Sequence, residues 1–202
     1  KGANNINLVT PSHYVLQIID ALKIAKTKGL EIPVVYNSSA YEKVETLKLL
    51  EGLVDVYLPD FKYMDENLSE KYSRARNYPD VAKKAIKEMV RQVGNAKFND
   101  KDMLIKGVVV RHLVLPGYVE DSKKVIKYLY ETYKNDIYIS ILSQFTPLEG
   151  LENYPEINRK LNEEEYDEVV DYAIELGVEN GFIQEGDVAK ESFIPDFDGQ
   201  GV

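Results

Sequence analysis

Met103-Leu104-Ile105-Lys106-Gly107-Val108-Val109-Val110-Arg111-His112-Leu113-Val114-Leu115-Pro116-Gly117 reads as the clearest strand in the chain. Its Gly107 to Val110 core is apolar at successive positions, so both faces are covered, as in a parallel sheet packed between layers. Pro116-Gly117 stops it. A single guanidinium, Arg111, lies within the apolar run and needs a carboxylate or a ligand, because burying it unpaired is costly.

Downstream, Glu120 to Tyr133 has helical spacing and Ile137 to Leu142 is a further strand. A polar loop follows through Thr146-Pro147 and Tyr154-Pro155. Asn162-Glu163-Glu164-Glu165 then starts a helix with a capping side chain and an acidic first turn, ending at Gly177. Phe182-Ile183 is a short last strand. Upstream, Asn95 to Asp102 is an exposed loop or small hairpin, preceded by a helix from Pro79 to Val93 and a shorter one near Leu68 to Ser73. Strands are expected at Val54 to Leu58, Ile32 to Tyr36 and Ile6 to Val9. Helices over Glu42 to Leu50 and His13 to Lys28 separate them.

Six strands joined by helical crossovers must run parallel and right-handed. The expected fold is therefore α/β, a partial (β/α)6 TIM-type barrel with parallel strands. A full eight-unit barrel takes roughly 250 residues. Because the chain opens on a strand with no helix before it, the expectation is a barrel truncated at the N-terminus. Residues 1–191 are assigned to the barrel and 192–202 to a C-terminal extension.

The chain has 202 residues, 44% of them hydrophobic, enough for a sizeable core. Its 34 acidic against 25 basic residues give a net charge of −9, which disfavours nucleic acid and anionic lipid as partners. No apolar run approaches the ~20 residues of a membrane helix, and the start lacks a signal peptide, so the expected location is cytoplasmic. There is no cysteine. Disulfides and thiolate metal sites built by this chain alone are excluded. With two histidines and no cysteine, a protein-only zinc site is not expected. The 15 tyrosines read as packing residues.

In parallel α/β folds, ligands sit at the C-terminal ends of the strands. The polar residues expected there are Thr10, Ser12 and His13; Asn37 and Ser38; Asp60 and Lys62; Arg111 and His112; Ser143 and Gln144; and Gln184. Asp60 and Lys62, two apart, share a side if the strand continues through them. They could grip a zwitterion or a ribose diol, or form an ordinary ion pair. Arg111 could be a structural partner of Asp60. His112 should face the opposite side and be structural, and His13 reads as a cap or packing residue. Phosphate loops, His-Glu-x-x-His and Gly-x-Ser-x-Gly motifs are absent.

Three segments together resemble the pyruvate formate-lyase activating enzyme family of radical S-adenosylmethionine (SAM) proteins. They are Val54-Asp55-Val56-Tyr57-Leu58-Pro59-Asp60-Phe61-Lys62, Val110-Arg111-His112-Leu113-Val114-Leu115-Pro116-Gly117, and Pro33-Val34-Val35-Tyr36-Asn37-Ser38-Ser39-Ala40-Tyr41. Order and spacing agree over Ile6 to Leu142. Asn5-Ile6-Asn7-Leu8-Val9-Thr10-Pro11-Ser12-His13-Tyr14 is similar to the activating-enzyme-like branch, where the likeness extends over nearly the whole chain. The resemblance implies a barrel that binds SAM and a [4Fe-4S] cluster and reductively cleaves SAM to a 5′-deoxyadenosyl radical. It further implies a glycyl radical enzyme or other protein substrate, and an electron donor such as flavodoxin or ferredoxin.

Carried over by position, the SAM-binding residues implied are Thr10, Ser12, Asn37, Ser38, Asp60, Lys62, Arg111 and Leu113. Three departures stand out. Thr10-Pro11-Ser12-His13 replaces a Gly-Gly-Glu motif, Asn37 replaces an aspartate, and Phe145 replaces a histidine. The Cys-x-x-x-Cys-x-x-Cys loop of the family is not in the sequence, and its place would precede Lys1. Two other classes remain open. One is a cluster-free barrel binding SAM or a small metabolite, and the other is a barrel lyase or isomerase using Asp60 and Lys62 as acid and base.

Overall fold

The computed structural model describes residues 2–147 and 150–183. Strand β1 (Ile6–Val9) leads through a 3-10 turn at Pro11–Tyr14 into α1 (Val15–Thr27). Then follow β2 (Val34–Ser38), α2 (Val44–Lys48), β3 (Val56–Pro59), α3 (Glu66–Ser73) and α4 (Tyr78–Val93). The chain continues through β4 (Lys97–Phe98), β5 (Leu104–Leu113), α5 (Val119–Tyr133), β6 (Tyr138–Leu142), α6 (Glu163–Leu176) and β7 (Gly181–Ile183). Gln184 and the expected extension 192–202 lie outside the described residues.

The strands form one sheet in the order β1-β2-β3-β5-β6-β7, every neighbouring pair parallel. Strand β4 is a seventh, added antiparallel to the start of β5, so Asn95 to Asp102 forms a hairpin. Its closeness explains Gly107: the residue has φ 136°, and a Cβ there would stand 2.8 Å from the Cα of Ala96. The fold is the expected α/β class with a parallel sheet.

Residue alternation separates the two sides of the sheet. Tyr36, Tyr57, Val108, Val110, Ile139 and Ile141 face the helices and are buried. Helical spacing puts Ala82, Ala85, Ile86 and Met89 of α4, and Val125, Ile126 and Leu129 of α5, into the same core. Burying each of the larger aliphatic side chains stabilises the fold by about 1.5–3 kcal/mol. The register pairs Asn37 with Leu58, Asp60 with Arg111, Arg111 with Ser140 and Leu113 with Leu142. These residues share the side that the helix layer does not cover, and several are only partly buried. The helix layer thus leaves one face and one rim for function. Among the described residues, no helix is long and apolar enough to cross a membrane.

Candidate functional site

Strand β3 stops at Pro59, but Asp60 still bridges to Arg111, and Phe61 N–H donates to the Arg111 carbonyl at 2.8 Å. The Asp60 side chain therefore lies beside Arg111 on the uncovered face. Arg111 donates to Asp60 Oδ1 from Nε at 2.9 Å, and its Nη2 lies 2.7 Å from the same oxygen. Nη2 also donates to Asn37 Oδ1 at 2.5 Å. Lys62 Nζ approaches Asp60 Oδ2 at 3.9 Å, an ion pair beyond hydrogen-bond length. One carboxylate, one guanidinium, one ammonium and one amide thus converge from β2, β3 and β5. Leu113 follows two residues after Arg111 on the same side. The two cations exceed the single carboxylate, so the cluster suits a ligand that carries an anionic group and hydrogen-bond donors.

Other candidates are placed differently. Ser38 is buried on the helix side, where its Oγ accepts from Ala40 N–H at 3.2 Å. Ser12 Oγ donates to Glu42 Oε1 at 2.5 Å, and Tyr36 donates to the same oxygen at 3.2 Å. Burial, with Glu42 beside it, pushes the Tyr36 phenol above its ordinary pKa. Thr10 adopts the left-handed conformation (φ 51°, ψ 50°), and its N–H donates to the Asn37 carbonyl at 2.9 Å. The exit of β1 is therefore tied to β2 through Asn37 and Glu42, while the Ser12 hydroxyl points to Glu42. Glu42 carries no spacing or motif that marks it in sequence.

His13 departs from expectation. It is exposed, and neither the 3-10 turn nor α1 has a side-chain cap. His112 is buried on the helix side, as the alternation requires. Its Nδ1 lies 2.8 Å from the Phe61 carbonyl, so Nδ1 must carry the proton. Burial lowers its pKa to about 4, while the Phe61 carbonyl pulls the other way. Ser143 and Gln144 follow the end of β6 at the same rim.

The loops around the rim are braced by side chains. Asp121 accepts from the backbone of Met64 and Asp65 at 3.0 and 2.9 Å, holding the segment that follows Lys62. Tyr72 and Lys71 of α3 both reach Glu156, tying the segment before α6 to α3. Glu165 accepts from Gly117 N–H and from Arg159, joining α6 to the exit of β5. Among the described residues, no group of three or more His, Asp or Glu is arranged to hold a metal ion.

No protein-family model matches the sequence. The chain is 31% identical over 176 residues to an uncharacterized protein, MJ0674, of Methanocaldococcus jannaschii; the match spans 85% of this chain and 46% of that protein. A solved domain of pyruvate-formate lyase-activating enzyme from Bacteroides vulgatus superposes with a TM-score of 0.61 at 16% identity, over 92% of this chain and all of that domain. SuiB of Streptococcus suis superposes with a TM-score of 0.59 at 17% identity, over 92% of this chain and 39% of that one. The chain thus spans less than half the length of MJ0674 and of SuiB. At these identities the two structural likenesses establish architecture alone: the parallel-sheet α/β fold that this chain shares with both solved chains.

Proposed function

We propose that the cluster at the strand ends binds S-adenosylmethionine and that the chain contributes this part of the site to a radical SAM enzyme. The carrying observation is the convergence of Asn37, Asp60, Lys62 and Arg111 on the uncovered face. The donor set suits the ligand. Asp60 Oδ2 can accept from a ribose diol, Lys62 can meet the methionine carboxylate, and Leu113 offers an apolar edge beside them. Arg111 keeps the Asp60 carboxylate oriented. The work of these residues is to bind and orient the ligand.

The cluster is a different matter. A [4Fe-4S] centre is held by thiolates, and the 202 residues contain no cysteine, so this sequence supplies none of the expected ligands. Radical formation, activation of a glycyl radical enzyme, and reduction by a flavodoxin or ferredoxin belong, in this proposal, to a longer cytoplasmic protein.

Calorimetry of this chain with SAM tests the reading. One-to-one binding that Asp60→Asn weakens at least about tenfold is the expected result. Absence of binding at about 1 mM ligand, equivalent to less than roughly 4 kcal/mol of affinity, overturns it. The lack of cysteine favours a second reading, a cluster-free module for SAM or a related small metabolite. Anaerobic addition of iron and sulfide to this chain should yield no cluster absorbance under either reading; tight SAM binding without a cluster favours the module, and weak binding by this chain counts against it.

A further inference from the structure

Tyr78 opens α4 and is 3% exposed. Its hydroxyl accepts from the Lys62 N–H at 2.9 Å and lies 2.8 Å from the Asp60 carbonyl and 3.0 Å from that of Ser39. One phenol thus touches three main-chain groups in two loops. It has a single proton for two carbonyls and a lone pair for the amide, so all its capacity is used. The ring is fixed by Tyr41, Phe61 and Tyr63, at centroid distances of 6.0, 6.3 and 5.7 Å. Burial raises the phenol above its ordinary pKa, which keeps it neutral and able to donate.

The contacts fall where the sheet stops helping. Strand β3 ends at Pro59; beyond it, backbone bonds from Asp60 N–H to the Ser38 carbonyl at 2.9 Å and from Phe61 N–H to the Arg111 carbonyl at 2.8 Å carry the pairing only as far as Phe61, and the Lys62 N–H is taken up by Tyr78. Asp60 and Lys62 flank Phe61, whose ring is fully buried. The Phe61 ring beneath and the Tyr78 hydroxyl beside join these backbone bonds, and the Asp121 carboxylate on Met64 and Asp65, in placing the main chain that carries the carboxylate and the ammonium. The third contact, at Ser39, binds the same hydroxyl to the exit of β2, directly after Asn37 and Ser38.

We propose that Tyr78 is a positioning residue of the strand-end site. Its hydroxyl holds the main chain at Asp60 and Lys62 and adds a side-chain tie to the β2 exit that carries Asn37, beside the backbone bond from Asp60 to Ser38. The SAM ligand in this statement rests on the function proposed above; the tether does not.

Amide exchange followed by NMR on the chain and on Tyr78→Phe separates the two. In the unsubstituted chain, the Lys62 amide is protected although it lies beyond the end of β3. In Tyr78→Phe it exchanges at least about tenfold faster, the effect of roughly one lost hydrogen bond. The Arg111 Nε–H signal, which reports the pair with Asp60, shifts in the variant, while Ile126 and Leu129 in α5 keep their protection. Affinity for SAM falls about tenfold. Three results would overturn the inference: an unprotected Lys62 amide in the unsubstituted chain, a folded variant with unchanged Lys62 exchange and Arg111 signal, or equal acceleration of Lys62, Ile126 and Leu129. The first of these is measurable even if Tyr78→Phe does not fold. Local changes as expected, with no SAM binding by the unsubstituted chain, would refute the ligand and uphold the tether.

Discussion

Arg111 grips Asp60 on one oxygen: Nε and Nη2 lie 2.9 and 2.7 Å from Oδ1. Oδ2 faces Lys62 Nζ at 3.9 Å. The fork therefore orients the carboxylate without using it up, and leaves one oxygen for a ligand.

Lysine cannot reproduce that fork. Arg111→Lys should keep the fold and change stability by no more than about 1 kcal/mol, because both side chains of the pair are partly exposed and solvent-screened. Binding of SAM should fall about tenfold or more, since Asp60 and Asn37 lose a shared donor. Urea denaturation and calorimetry on the same preparation check both halves. A large stability loss with unchanged affinity would make the pair a structural bridge only.

Gly107 is the position in β5 where a side chain is not tolerated. Alanine there would place its Cβ against backbone of Ala96 at 2.8 Å and keep an unfavourable φ of 136°. Gly107→Ala should cost about 2–3 kcal/mol from overpacking and backbone strain together. Chemical denaturation measures it, and a cost under about 0.5 kcal/mol would mean that the hairpin moves aside freely.

The start of α6 has a capping box: Asn162 Oδ1 accepts from Glu165 N–H at 2.7 Å, and Glu165 reaches back to the Asn162 N–H. Glu165 also holds Arg159 and Gly117 N–H. Asn162→Ala should cost about 1 kcal/mol. Glu165→Ala should cost more, because it frees α6 from the β5 exit as well. Thermal unfolding of the two variants should rank them in that order; the reverse order would show that the bridge to Gly117 contributes nothing.

The alternation of apolar strands with helix-spaced segments foretold the sheet because both patterns follow from backbone period alone. The run ending at Pro116-Gly117 marked β5, and the two-residue spacing of Asp60 and Lys62 put both on one side. Arg111 announced that it needed a partner by sitting in an apolar strand. What the sequence could not show is how loops use their side chains. Ser12 and Ser38 look like ligand contacts in one dimension, but their hydroxyls serve Glu42 and Ala40, choices set by loop geometry. Strand β4 was ambiguous because two residues carry no periodicity. Tyr78 was hidden among 15 tyrosines, since nothing local distinguishes a phenol that fills a core from one that ties two loops.

His112 makes acid the sensitive side of this fold. The imidazole is 1% exposed, donates from Nδ1 to the Phe61 carbonyl, and has no hydrogen-bond partner for its buried Nε2 among the described residues. Burial lowers its folded-state pKa to about 4 from an ordinary 6.5. Between those values the unfolded chain binds a proton that the folded chain does not, so unfolding is favoured as pH falls from 6.5 to 4. The full difference corresponds to roughly 3 kcal/mol, at up to about 1.4 kcal/mol per pH unit. Glu88 and Glu165, held near 2 chiefly by Arg91 and Arg159 respectively, lose their contributions only as pH falls from about 4.5 towards 2. Asp121 is shifted upward by burial, so its contribution runs the opposite way. The contrast with His112→Gln isolates the imidazole: the variant should start less stable at neutral pH, and its stability should fall less steeply from pH 6.5 to 4. Parallel pH profiles for the two proteins, read by urea denaturation at each pH, would show that the buried imidazole does not govern the acid limit.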